Sequence, residues 1–231
     1  MKKFFANLPY GSDKQTLSKW QILFTGLGFF CFVMFLTIFC SRLYVLLGFD
    51  LISVLNTRTD ISKEYGLTWY ILFCIFIGPF REEIMLRLCL SFKKQHLAIS
   101  LAFICMWLPA SFIKIKYLSV LFFILMASGI FVYFMVMRCT TADFWSKIKE
   151  KYTKYIVWFL ILVFTLLHLN NYQLFEWQYF VAYILILAQA FFLAVTATYF
   201  RINLGFAYCL LFHIAYNAGI ILKELPVYLY F

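Results

Sequence analysis

The sequence predicts an all-α protein, a polytopic membrane bundle of about seven transmembrane helices (six to eight), and three observations carry that expectation. The 231 residues are 65% hydrophobic and 23% aromatic, well above the roughly 45–50% apolar content of soluble domains. Only 13% are charged, and the mean hydropathy is +0.89. Nearly every apolar run is about 15 to 25 residues long and is bounded by charge or turn residues, matching the ~20 residues that cross a ~30 Å hydrocarbon layer. A water-soluble globule is excluded, and no run is left over for a separate soluble domain.

The spans read as 20–46, 66–92, 97–113, 117–138, 154–172, 177–200 and 203–222. The first follows Lys2, Lys3, Lys14 and Lys19, and without a small-residue cleavage site it is expected to stay in the protein. The chain ends in Tyr230-Phe231 and has no cysteine there for prenylation. Residues 49–65 carry Asp50, Arg58, Asp60, Lys63 and Glu64 and read as a polar outer loop. The third span holds Pro109 and is parted from the fourth only by Lys114-Ile-Lys116, so the two are expected to form a tight hairpin. Residues 140–154, with Asp143, Lys147, Lys149, Glu150 and Lys151 at helical spacing, read as an interfacial amphipathic turn. Gln189 and Thr196 in the sixth span suit helix-to-helix hydrogen bonds, and Trp20, Trp69, Trp107, Trp158 and Trp177 suit an interfacial belt.

The organisation follows: residues 1–65 hold the basic segment, first helix and outer loop; 66–222 the main domain; 223–231 a short tail. The net charge of +10 does not imply nucleic acid, because the basic residues sit in short loops and form no stripe with interleaved aromatics. With the N-terminus cytoplasmic, Lys2, Lys3, Lys14, Lys19, Lys93, Lys94, Arg138, Lys147, Lys149, Lys151, Lys154 and Arg201 fall on the inner side. Only Arg42, Arg58, Lys63, Lys114, Lys116 and Lys223 then fall outside. That bias is the positive-inside pattern of a multi-pass protein in the cell's inner (plasma) membrane. The seven cysteines lack CxxC spacing and read as small hydrophobes.

The second span contains Pro79-Phe-Arg-Glu-Glu-Ile-Met-Leu-Arg87. Charges at membrane depth cost about 2.5–3.5 kcal/mol each on insertion scales, so they face a cavity and have a task. Glu83 and Arg87 are four apart and can pair on one face, whereas Glu82, rotated by about 100°, is left to point elsewhere. A carboxyl of this kind suits general acid–base work. Two of the three histidines, His168 in Phe164-Thr-Leu-Leu-His168 and His213 in His213-Ile-Ala-Tyr-Asn217, also lie inside spans. His96, beside Lys93 and Lys94, reads as a solvated loop residue. Counted from Lys93, Lys154 and Arg201 at ~1.5 Å per residue, Glu82, His168 and His213 lie roughly 16, 21 and 18 Å deep.

Residues at a common depth can collaborate. Glu82 and His168 can activate water for attack on a carbonyl, with His213 and Asn217 stabilising the oxyanion. No serine or cysteine stands in a nucleophile elbow, and HExxH is absent.

Glu82-Glu83-xxx-Arg87, Phe164-xxx-His168 and His213-xxx-Asn217, in that order, resemble the three motifs of the CPBP superfamily of type II CAAX prenyl endopeptidases and bacteriocin-processing or Abi enzymes. The resemblance covers roughly residues 66–222. It implies an intramembrane endopeptidase with Glu82 as base, His168 as its partner, His213 and Asn217 as the oxyanion hole, and Glu83 with Arg87 as a structural pair. It implies no cofactor, and a peptide or protein substrate at or in the bilayer. The second motif follows the first at a longer interval than is usual in the family, which an inserted helical hairpin at about 97–150 would explain.

Other readings stand beside this one. The Glu-Glu-Arg cluster could be the snorkelling end of a helix that stops at Pro79, His168 an outer-edge polar residue, and His213 a packing histidine. Glu82, His168 and His213 could instead supply three ligands to zinc. The chain could be a non-proteolytic scaffold or regulator of a sensor kinase or exporter, or a proton-coupled transporter, although no inverted repeat supports the last.

Overall fold

The computed structural model describes residues 18–46, 66–110, 115–168 and 180–230, and every regular element among them is helical. Among the described residues, three helices are long and apolar enough to cross a membrane: Lys19–Cys40, Leu121–Cys139 and Phe180–Asn203. The shorter Phe206–Leu222 is also apolar. The basic segment 1–17, the segment 49–65 expected as an outer loop, residues 111–114 and residues 169–179 with Trp177 lie outside the described residues. So do Lys2, Lys3, Lys14, Arg58, Lys63 and Lys114, on which the orientation partly rests.

Helix α1 (Lys19–Leu46) opens on a reciprocal cap. The Gln21 N–H donates to the Ser18 hydroxyl at 3.3 Å and the Ser18 N–H to the Gln21 side-chain carbonyl at 2.8 Å, so two orphan donors of the first turn are satisfied together. The second span, expected as one helix, is four pieces: α2 (Leu67–Leu72), a π turn (Phe73–Ile77), α3 (Gly78–Leu86) and a 3-10 turn (Leu88–Ser91). Pro79 is the reason for the first break, since it has no N–H to donate. Phe92 closes the last piece in the left-handed region at φ 55°.

Helices α4 (Lys94–Ala110) and α5 (Ile115–Cys139) follow. His96 is therefore in the first turn of α4 and not in a loop; one ring nitrogen lies 2.7 Å from the Ser91 hydroxyl. Helix α6 (Ala142–Leu167) begins a dozen residues before the expected span, so the amphipathic turn is the polar half of a longer helix. Thr141 starts it by accepting from the Phe144 N–H at 3.2 Å, as an N-cap hydroxyl does. Helices α7 (Phe180–Asn203) and α8 (Phe206–Tyr230) are joined through Gly205, whose φ of 103° suits the residue that closes a helix.

The chain divides into two compact units, Met1–Pro79 with Ile161–Phe231, and Phe80–Leu160. In the first, α7 is the central element and packs on α1 and α8. Its buried Ala182, Ala190, Ala194 and Ala197 have little side chain to hold neighbours away. A Cβ on Gly26 of α1 would meet the Phe200 ring at 2.4 Å. Phe30 meets Phe212 edge-on at 4.9 Å. Gln189 reaches Met34 Sδ at 3.8 Å, a contact from α7 to α1. Thr196 differs from expectation, donating to Phe192 O of its own helix at 2.9 Å, the local alternative open to any helical threonine.

In the second unit, α4 packs against α5 and against the 3-10 turn. A Cβ on Gly129 would lie 3.0 Å from the Ala102 carbonyl oxygen, so glycine permits this approach. The outward residues of α1 and α5 are large and apolar: Phe24, Phe35 and Phe39 on one, Phe123, Phe131 and Phe134 on the other, all exposed.

Candidate active site

The acidic motif sits on α3. Arg87 donates to Glu83 in an ion pair four residues apart, and the two are 2% and 0% exposed. Two charges so fully withdrawn from water are tolerable only because each neutralises the other. The next carbonyl along, Ile84 O, accepts from the buried Ser100 hydroxyl of α4 at 2.7 Å. That bond satisfies one of the orphan carbonyls at the end of α3.

Glu82 is in a different setting. Its side chain is 26% exposed, and Oε1 lies 3.8 Å from Arg81 Nη2. The i,i+4 pair did not leave it pointing to nothing: the adjacent arginine reaches it. The Arg81 guanidinium in turn stands 5.4 Å from the centre of the Trp107 ring, a cation–π distance, so Trp107 does more than line an interface. Sequence reasoning gives Arg81 no role beyond that of one more intramembrane charge. The signal that could have found it is the unbroken Arg81-Glu82-Glu83 run. The ruler from Lys93 to Glu82 also needs correction, because it crosses a 3-10 turn and a left-handed residue rather than straight helix.

The histidine motifs belong to the other unit. His168 lies one residue past the end of α6, and its Nδ1 is 2.9 Å from Phe164 O. A carbonyl oxygen only accepts, so Nδ1 carries the proton and in the neutral ring Nε2 holds the lone pair. The Phe164 ring lies 4.4 Å from the His168 ring and 5.7 Å, edge-on, from the His213 ring. One aromatic side chain thus brings together the histidines of α6 and α8, and His213 is 1% exposed.

Asn217 is one turn beyond His213, but its amide donates to Cys74 O in the π turn at 2.8 Å. Nothing in the sequence pattern singles out Cys74. Glu82, Glu83 and Arg87 fall in the unit Phe80–Leu160, and His168, His213 and Asn217 in its counterpart. Among the described residues, no three His, Cys, Asp or Glu side chains form a group that could hold a metal ion.

Comparison of the chain with family models, with curated proteins and with solved structures gives no match.

Proposed function

We propose that this chain is a polytopic protein of the inner (plasma) membrane, with about seven crossings, and that it is an intramembrane endopeptidase of the CPBP type. The observation that carries the reading is the meeting of His168 and His213 on the Phe164 ring. A histidine whose Nδ1 proton is committed to a carbonyl presents Nε2 as a base, and a second histidine beside the shared ring is placed to donate. The exposed aromatic exteriors of α1 and α5 support burial in lipid, since apolar surface of that extent is unfavourable in water.

In this reading Glu82 and His168 take a proton from water, and the water oxygen attacks the carbonyl carbon of a peptide bond. The developing oxyanion accepts from His213 and Asn217. The proton held by the Glu82–His168 pair passes to the leaving nitrogen as the C–N bond breaks, giving a carboxylate and an amine. Glu83 and Arg87 hold α3 in shape. The substrate is a peptide or protein segment reached from the bilayer or its cytoplasmic face, and no metal or other cofactor takes part.

The test compares the membrane and secreted peptides of cells expressing the wild type or Glu82→Gln at equal folded levels. New termini that vanish in the variant support proteolysis. Identical peptide sets sink the peptidase reading and favour a scaffold that binds another membrane protein.

A further inference from the structure

The bond from Asn217 Nδ2 to Cys74 O, 2.8 Å long, joins residues 143 apart in the chain. In a regular α-helix the Cys74 carbonyl would receive the N–H of Gly78, four residues on. Here the Gly78 N–H goes to Phe73 O instead, the wider i→i+5 register of a π turn. In that register the donor due at Cys74 O is residue 79, which is proline and has no N–H. The sequence therefore opens a gap in the backbone ladder at one defined oxygen. The amide of Asn217 reaches this oxygen at 2.8 Å.

Residue 78 fits the same arrangement. A Cβ at Gly78 would lie 3.2 Å from Phe73 O, so glycine eases the approach that the wide register demands. The partner must be a donor, because a carbonyl can only accept; ionised aspartate is acceptor-only, so of the two like-shaped side chains only asparagine can serve.

We infer that Asn217 is a positioning residue: its amide stands in for the N–H that Pro79 lacks, and ties the π turn, and with it the start of α3, to α8. α3 is the helix that carries Glu82 and Glu83. The inference goes beyond the oxyanion role given to Asn217 above and does not rest on the peptidase reading.

A double-mutant cycle tests it on the full-length protein in detergent micelles, with Asn217→Leu, Pro79→Ala, both together, and Asn217→Asp. With Pro79 present, Asn217→Leu and Asn217→Asp each lower the melting temperature by about 1–6 °C, the range for a lost hydrogen bond to a part-buried carbonyl in a chain of this size. In the Pro79→Ala background, where the backbone regains an N–H at this position, Asn217→Leu lowers it by less than half as much. Equal losses in both backgrounds would overturn the inference. A second readout moves only if positioning matters to chemistry. Peptide processing lost in Asn217→Leu returns in Pro79→Ala/Asn217→Leu if Asn217 acts by positioning, and stays lost in a stably folded double variant if it acts only on the oxyanion. If the wild type processes no peptide, the peptidase reading fails and the melting cycle still decides the role of Asn217.

Discussion

Phe164 serves His168 twice: its carbonyl oxygen lies 2.9 Å from Nδ1 and its ring lies 4.4 Å from the imidazole. The two contacts can be separated, because substitution removes the ring and leaves the carbonyl. Phe164 is 1% exposed, so Phe164→Ala is expected to cost about 3–5 kcal/mol by cavity formation. Phe164→Leu, which fills most of that volume, should retain more of the stability and still impair any reaction that needs both histidines aligned. Chemical denaturation of the two variants checks the ordering; equal stabilities would show that the ring is not packed as described.

His168→Gln is expected to reduce peptide processing by about 10²–10⁴-fold, the usual contribution of a positioned general base, with little change in melting temperature. His168 is only partly buried at the end of its helix, so loss of fold is not the expected route to loss of activity. Retained processing in a folded His168→Gln protein would remove this residue from the mechanism.

The buried pair offers a sharper contrast. Arg87→Met alone leaves the Glu83 carboxylate buried without its partner and is expected to destabilise by about 3–5 kcal/mol. Glu83→Gln with Arg87→Met removes both charges and should recover much of that loss. Thermal unfolding of the single and double variants decides the matter, and a double variant as unstable as the single would show that charge compensation is not what the pair provides.

Ser100→Ala removes the donor to Ile84 O, and an unsatisfied buried acceptor costs about 1–3 kcal/mol. Ser100→Thr keeps the hydroxyl but adds a methyl at a site with no exposure. Both variants are expected to melt well below the wild type; a Ser100→Ala protein equal to wild type would show that this hydrogen bond contributes nothing.

Gly129→Val is expected to cost about 1–3 kcal/mol, because its Cβ and branches would press on the Ala102 backbone, which cannot rotate aside. Cross-linking between cysteines introduced on α4 and α5 should slow in the variant if the two helices are forced apart.

What can be read from the sequence is mostly local. Glu83 and Arg87 are four residues apart, and the helix alone brings them together. The turn from Phe164 to His168 is equally local. The start of helix α6 escapes a reading by hydropathy, which falls across 140–154, but Thr141 at the cap and Asp143 in the first turn are start signals that do not depend on hydropathy. The count of crossings suffers from the same ruler. α4 is 17 residues long and α6 is polar over its first half, so among the described residues length and composition alone qualify three helices, where the whole sequence is expected to hold seven apolar runs. The break at Gly78-Pro79 is visible as a missing donor. No pattern could reveal that Asn217, 143 residues away, would meet the carbonyl it leaves, since that depends on tertiary packing.

The divided character of α6 also bears on biogenesis. Its uncharged, mainly apolar part, residues 156–167, is about 18 Å long by helical rise, short of a ~30 Å lipid interior. If α6 is one of the proposed crossings, such a segment is too short to insert alone and needs companions that leave the ribosome after it. α8, which brings His213 to Phe164, is made after α6 and α7. A nascent chain arrested after α7 would carry His168 without the neighbour that completes its surroundings, so the histidine pair forms only once α8 has been made.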